Sequence, residues 1–324
     1  MKEKGPIRLN DIGEELQLEA VRQDGLSIQY IDNPSLEVQL AAVGRNGYAI
    51  EYIDNPSLEV QLAAVKQDGN AIYYIKNPSE LVQLEAVKND GHVIQYIDNP
   101  SLGVQLEAVK YDGYTIQYID NPLLEVQLAA VKQDGNAIQF IKNPSLKVQL
   151  EAVRQSGHAI RYIDRPVLEV QLAAVRQNGN AIRHIDRPVL EVQLAAIKED
   201  EQSIEFIDDP SEEVQLVVVR MDGNTIRYID NPSEQVQLEA LREDGRSIQY
   251  INNPTDYIKS ITDVIETSNR TVYVLHEEGK EPLFSIGCQY NVSKDYIIWR
   301  IYNLDGGLEG NPHRHEYLDI LNRY

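Results

Sequence analysis

The chain holds a single cysteine, Cys288, which excludes an internal disulfide and fits a reducing compartment. Long apolar runs are missing too: no stretch approaches the ~18 consecutive apolar residues of a membrane span. The opening segment Met1–Pro6 has no apolar core, so no signal peptide is expected, and the expected location is the cytoplasm. Positive charge is scarce. Against 51 aspartates and glutamates stand 30 lysines and arginines, a formal net charge of −21. The last 70 residues hold 11 acids and 7 bases, a net of −4, which leaves −17 on residues 1–254. A field of that sign disfavours non-specific binding to nucleic acid or an anionic membrane. It favours a basic partner, or simply keeps a long apolar stack soluble. Motifs for chemistry are also absent: no Gly-x-x-x-x-Gly-Lys loop, no dinucleotide fingerprint and no Gly-x-Ser-x-Gly elbow. Neither enzymatic activity nor a cofactor is expected.

What is present is a repeat. Hydrophobic residues make up 42% and charged residues 25%, as in a folded chain rather than a disordered one. Proline recurs every 22 residues from Pro34 to Pro254, and counting back one unit puts Ile12 in the same slot. That gives eleven units, 12–33 through 232–253, with no insertion or deletion. A fixed period of this length marks a stacked array. Asn33 before Pro34 reads as a helix N-cap, with proline at the first helical position and Glu37 favouring the positive end of the dipole. Gly47 reads as the left-handed residue that ends the helix. The first helix then has about eleven to twelve residues, and the remainder suffices for a short second helix or 3₁₀ turn.

With proline as position 1, the apolar residues of the first helix fall at positions 3, 5, 7, 9 and 10 (Leu36, Val38, Leu40, Ala42, Val43). In the second helix Ile50 and Ile53 are expected inside, with the ring of Tyr52 beside them. Position 6 is glutamine in all eleven units: Gln17, Gln39, Gln61, Gln83, Gln105, Gln127, Gln149, Gln171, Gln193, Gln215 and Gln237. The wheel puts it inside the apolar arc, where an unpaired amide costs about 1–3 kcal/mol. A ladder of amides bonding from unit to unit is therefore predicted.

The run Asn-Pro-Ser-x-x-Val-Gln-Leu-x-Ala-Val-Lys-x-x-Gly-x-x-Ile-x-Tyr-Ile, met for instance at Asn77, Pro78, Gln83, Leu84, Ala86, Val87, Gly91, Ile94 and Ile97, resembles a repeat family known as domain of unknown function 4116. The resemblance covers about residues 12–254. Members occur in bacteria, large viruses and phages, and the resemblance implies a fold but no catalytic residue. A phage member would be expected to sequester a host protein such as a defence factor.

Departures from the repeat are the best pointers to a site. Between 154 and 188 the bases are Arg154, Arg161, Arg165, Arg176, Arg183 and Arg187 against three acids, so this stretch is +3. Arg161 and Arg183 are one unit apart on the short helix, and Arg227 lies two units beyond. Guanidinium forks suit a phosphate-bearing ligand, a nucleic acid or an acidic peptide. The plainer reading pairs Arg161 with Asp164 and Arg183 with Asp186. Glu201 stands where ten units have glycine, which predicts a bend or altered cap. Tyr48, Tyr73 and Tyr114 add exposed recognition area.

After Pro254 the period stops. A helix is expected over 256–267, strands over Thr271–His276, Leu283–Tyr290 and Tyr296–Tyr302, turns at Glu278–Lys280 and Asp305–Gly307, and a last helix over about 314–323. Chemistry there would have to come from His276, Cys288, His313 and His315, an incomplete metal set that would otherwise suit a metal-dependent enzyme.

The reading is thus a mainly α protein, an α/α-type solenoid of eleven two-helix repeats. A lead-in over 1–11 precedes it, and a small α+β capping domain over 255–324 follows, with a three-stranded antiparallel sheet. Its expected work is to bind another protein, as a non-enzymatic scaffold or inhibitor, through the acidic repeat surface. The alternatives are a phosphate or nucleic-acid ligand on the arginines, or a metal enzyme in the last domain. No membrane association is expected.

Overall fold

The computed structural model describes residues 13–268, 270–286, 289–303 and 313–324. The chain forms two compact units, Met1–Pro166 and Val167–Tyr324. The first carries repeats 1 to 7; the second carries repeats 8 to 11 and the C-terminal domain. Within each unit the helix pairs pack in series, each on the next in sequence. Among the described residues no helix is long and apolar enough to cross a membrane.

Each repeat is a ten-residue α-helix over positions 3–12 followed by a six-residue 3₁₀ helix over positions 14–19, as in Leu36–Arg45 and Gly47–Tyr52. The core uses positions 5, 9, 10, 16, 17 and 20, where Val38, Ala42, Val43, Ala49, Ile50 and Ile53 are buried. The apolar arc is narrower than the sequence suggests. Position 7 is half-buried at Leu40, and position 3 is 48% exposed at Leu36, because both flank the arc centred on the two valines and the alanine.

The punctuation differs from the expectation in two respects. Asparagine before proline is not the N-cap; it is the left-handed residue, with φ of 50° at Asn33 and 48° at Asn55. A residue preceding proline is kept out of the right-handed helical region, and asparagine tolerates the left-handed one. The cap is the serine at position 2: Ser35 Oγ accepts from the Val38 N–H at 3.3 Å, and Ser57 does the same for Val60 at 3.4 Å. Leu123, Val167 and Val189 occupy that place without a side-chain cap.

The repeat glycine, in turn, does not have positive φ; among the described glycines only Gly279 does. It is required by close approach. A Cβ on Gly47 would lie 2.8 Å from the Ala64 carbonyl oxygen of the next repeat, and one on Gly135 would lie 2.4 Å from that of Ala152. Glu201 occupies this place in repeat 9, and the residue it faces in repeat 10 is Val218 instead of the alanine found in the other repeats. The helices Leu190–Glu199 and Glu212–Met221 are correspondingly the least closely packed neighbours among the ten-residue helices of this unit. The bend expected at Glu201 is thus a widened joint rather than a strained backbone.

The glutamines of position 6 are half-buried, apart from the buried Gln237, and the predicted bonding from unit to unit gives way to a bond within the repeat at Gln39, Gln61, Gln83, Gln105, Gln127, Gln149, Gln193 and Gln215. Nε2 of Gln39 donates to the carbonyl of Pro34 at 2.8 Å, and Gln61, Gln83 and Gln127 make the same bond to Pro56, Pro78 and Pro122. The amide folds back over the first turn of its own helix and ties down the loop carbonyl there. Gln237 also reaches forward, its Oε1 accepting from the Thr255 N–H at 3.2 Å.

Register between repeats is carried elsewhere. Position 12 supplies an amide oxygen to the glycine N–H of the preceding repeat: Gln67 to Gly47 at 2.6 Å, Asn89 to Gly69 at 2.9 Å, Gln133 to Gly113 at 2.7 Å. In repeats 8 and 10 position 15 donates to the aspartate at position 13 of the following repeat, Asn180 to Asp200 at 2.8 Å and Asn224 to Asp244 at 3.0 Å, whereas Asn70 and Asn136 turn to Asp68 and Asp134 of their own repeats.

The C-terminal domain opens with the helix Asp256–Ile261, which stops at Thr262 and gives way to strand β1, Thr262–Glu266, where β-branched residues favour extension. Strands β2 (Thr271–Leu275), β3 (Leu283–Ile286) and β4 (Gln289–Ser293) complete an antiparallel sheet of order β1-β2-β3-β4, four strands rather than three. Gly279, with φ of 76°, makes the turn between β2 and β3. The expected strand Tyr296–Tyr302 is instead part of the helix Lys294–Asn303, and the last helix is Arg314–Leu321. Alternation over a short window misled here, since Ile297, Ile298 and Ile301 also satisfy a helical period. The turn expected at Asp305–Gly307 lies outside the described residues. Val272, Val274, Phe284, Ile297, Tyr317 and Leu321 form the core.

This domain docks by imitating a repeat. Asn291 Oδ1 accepts from the Gly245 N–H at 3.0 Å, the bond that position 12 makes elsewhere. Its Nδ2 donates to the Arg242 carbonyl, as that of Asn89 does to the Lys66 carbonyl. Arg242 also pairs with the largely buried Glu277.

Candidate functional site

The 3₁₀ helix determines what each repeat shows to solvent. Its aspartate at position 13 caps it, Asp68 Oδ1 accepting from the Asn70 N–H at 2.9 Å. With three residues per turn, positions 17 and 20 fall in phase and hold isoleucines, buried except for the half-buried Ile248, while positions 15 and 18 eclipse each other on an open side. The ring at position 19 was expected inside. It follows the small buried residue at position 16 and extends past it to the surface instead: Tyr52 is 43% exposed and Tyr30 62%. An aromatic residue stands at this position in every repeat but the eighth, which has His184. The result in the first unit is a row of partly exposed rings at Tyr30, Tyr52, Tyr74, Tyr96, Tyr118, Phe140 and Tyr162.

Two of the tyrosines singled out from the sequence meet on this row. Tyr48 stands edge-on to Tyr74 at 5.9 Å between ring centres, and Tyr73 stands edge-on to Tyr74 at 5.1 Å and to Tyr96 at 5.3 Å. With Asn70 these rings line an open hollow of about 430 Å³. Burial and the neighbouring, hydrogen-bonded Asp68 push the Tyr48 hydroxyl above the ordinary phenol range; burial and Glu51 do the same for Tyr74. Tyr114 is separate from this group and packs edge-on to Phe140 at 5.6 Å. Its hydroxyl is raised by burial and by Asp134. Tyr48 and Tyr114 thus resemble His92, whose Nε2 lies 3.3 Å from Asp112: position 15 engages the next repeat's aspartate.

The arginines are all exposed, and they occupy three different places in the repeat. Arg154 and Arg176 end long helices, Arg161, Arg183 and Arg227 lie on the 3₁₀ helices, and Arg165 and Arg187 precede proline. In the first unit Arg161 lies over the Tyr162 ring at 4.6 Å. In the second, Arg183 lies over Phe206 at 4.9 Å, and Arg227 over Tyr228 at 4.7 Å and Tyr250 at 5.8 Å. Among the described residues these three arginines stack on aromatic rings and are not ion-paired with Asp164 or Asp186. Arg165 and Arg187 hold the left-handed conformation, with φ of 47° and 49°.

The histidines have separate partners. His276 Nε2 meets Asp263 at 3.1 Å, and the same carboxylate takes the hydroxyl of Tyr324, which burial and Asp263 push up to about 12. His313 Nδ1 meets both Ser268 Oγ and Glu316, and hydrogen bonds from Ser268 and His313 hold Glu316 down at about 2. Serine and carboxylate contact the same ring nitrogen here, whereas activating a serine uses the two opposite nitrogens. His315 is exposed, and Cys288 lies outside the described residues. Among the described residues no three histidines, cysteines or carboxylates come together as metal ligands would.

These repeats place the protein in the class of stacked helical-repeat proteins. Residues 104–147, two repeat lengths, match the family described as a domain of unknown function, DUF4116, the family that the repeat motif resembles. No curated protein and no solved structure matches the chain.

Sequence reasoning missed the aromatic row and the two inter-repeat ladders. The signal was there for the ladders: position 13 is aspartate in eight units, and position 12 is an amide in the five long helices of the first unit that end at Gln23, Gln67, Asn89, Gln133 and Gln155.

Proposed function

We propose that this chain is a non-enzymatic binding protein that engages a partner protein along the 3₁₀ face of its repeats. One observation carries the reading: large rings at position 19 stay partly exposed in repeat after repeat of the first unit, in register, where burial would have been the cheaper outcome. Aromatic rings bring much contact area at small entropic cost, and they dominate the energetics of protein interfaces. The acidic charge around them supports a partner of opposite sign. The arginine reading has less support, because Arg183 and Arg227 already lay their flat faces on the protein's own rings. Inhibition or sequestration of a host factor would be one use of such a face.

The test is affinity capture with the full chain and with a Tyr30→Ser, Tyr118→Ser, Phe140→Ser variant. Proteins held by the first and released by the second bind this face. A retained set that the three substitutions leave unchanged contradicts the proposal.

A further inference from the structure

We infer that the hollow lined by Tyr48, Tyr73, Tyr74 and Tyr96 receives an arginine side chain from a basic segment of the partner. This rests on the reading of the 3₁₀ face as the partner surface and names what one part of that surface recognises.

The protein supplies its own template for the contact. Position 18 projects beside the ring at position 19 of its own repeat and of the next one. Where position 18 is arginine, its guanidinium lies over those rings, at 4.7 Å from Tyr228 for Arg227 and 4.9 Å from Phe206 for Arg183. Around the hollow the same position holds Glu51, Tyr73 and Gln95, so no guanidinium of this kind is supplied from within. Tyr73 instead adds a further ring, and the edge-on contacts around Tyr74 turn several ring faces toward one space.

Charge points the same way. Asp68 lies beside Tyr48 and Glu51 beside Tyr74, each close enough to disfavour a second negative charge on the phenol. Electron-rich ring faces with two carboxylates nearby attract a cation. A guanidinium is preferred to an ammonium because it is flat, weakly hydrated and able to stack while its edge donates to a carboxylate.

Fluorescence anisotropy with labelled hexa-arginine and hexa-lysine peptides, at low salt, tests the inference on the full chain. Tyr73 and Tyr96 are exposed, so Tyr73→Ala with Tyr96→Ala leaves the core intact. That variant is expected to bind hexa-arginine about tenfold more weakly and to change hexa-lysine binding less. Glu51→Arg places an internal arginine where repeats 8 and 10 have theirs and should close the hollow to the same extent. Glu59→Arg, an equal charge change on the exposed side of a long helix, should not.

Hexa-arginine binding that is unaffected by the tyrosine pair, or lowered equally by Glu51→Arg and Glu59→Arg, overturns the inference. Such a result would leave the aromatic row as a partner surface to stand or fall by the capture experiment, whose substitutions lie outside the hollow.

Discussion

Most of the residues that punctuate the repeat were legible as punctuation but not in their roles. Asparagine, proline, serine and glycine announce a boundary, yet the left-handed residue is the asparagine and the cap is the serine. Local sequence cannot reveal that the glycine is pressed by a carbonyl of the next repeat, as Gly47 is by that of Ala64. The same holds for the position-6 glutamine: a wheel gives the direction of a side chain and not what lies opposite. Two consequences can be measured by urea unfolding. Arg187→Asn relieves a left-handed arginine and should stabilise the protein by about 0.5–1 kcal/mol. Gln127→Leu removes the bond to the Pro122 carbonyl and should cost about 1 kcal/mol.

The long helix and the 3₁₀ helix were both readable as elements, because proline, an apolar period and the residues left over bound their lengths. Facing was less readable. The ring at position 19 is in phase with the small buried residue at position 16 of the 3₁₀ helix, yet it is long enough to reach past it to the surface. In the C-terminal domain Tyr296–Tyr302 alternates like a strand and folds as a helix. Only the assembled repeats reveal that Asn291 stands in for the amide of a further repeat. Asn291→Ala should therefore loosen the domain, at a cost of about 2 kcal/mol for the bonds lost to Gly245 and Arg242. Hydrogen exchange should rise at Gly245 and at its 3₁₀ neighbours before the rest of the array is affected. At the widened joint of repeats 9 and 10, Glu201→Gly and Val218→Ala should stabilise more together than the sum of the two alone, because each change makes room for the other.

For the whole chain, the charge of −21 could be read from composition, whereas the carboxylates that matter for acid stability could not. Burial opposes ionisation of Asp244, but hydrogen bonds from Arg246 and Asn224 outweigh it and hold the carboxyl low; Arg242 and Lys280 hold Glu277 low against its own burial. A depressed carboxylate stabilises the fold at pH values above the ordinary carboxylate range, and that contribution is lost as pH falls through the depressed one. Stability of the second unit should thus fall on acidification below about pH 4. Glu277→Gln should lower stability at neutral pH and flatten part of that acid slope. The central claim, however, concerns the face that meets the partner. Photo-crosslinking tests it most directly, with p-benzoylphenylalanine in place of Tyr52 on the 3₁₀ face or of Glu59 on the long helix, in cells that contain the partner. Adducts from position 52 and none from position 59 are predicted; adducts from 59 alone would contradict the account.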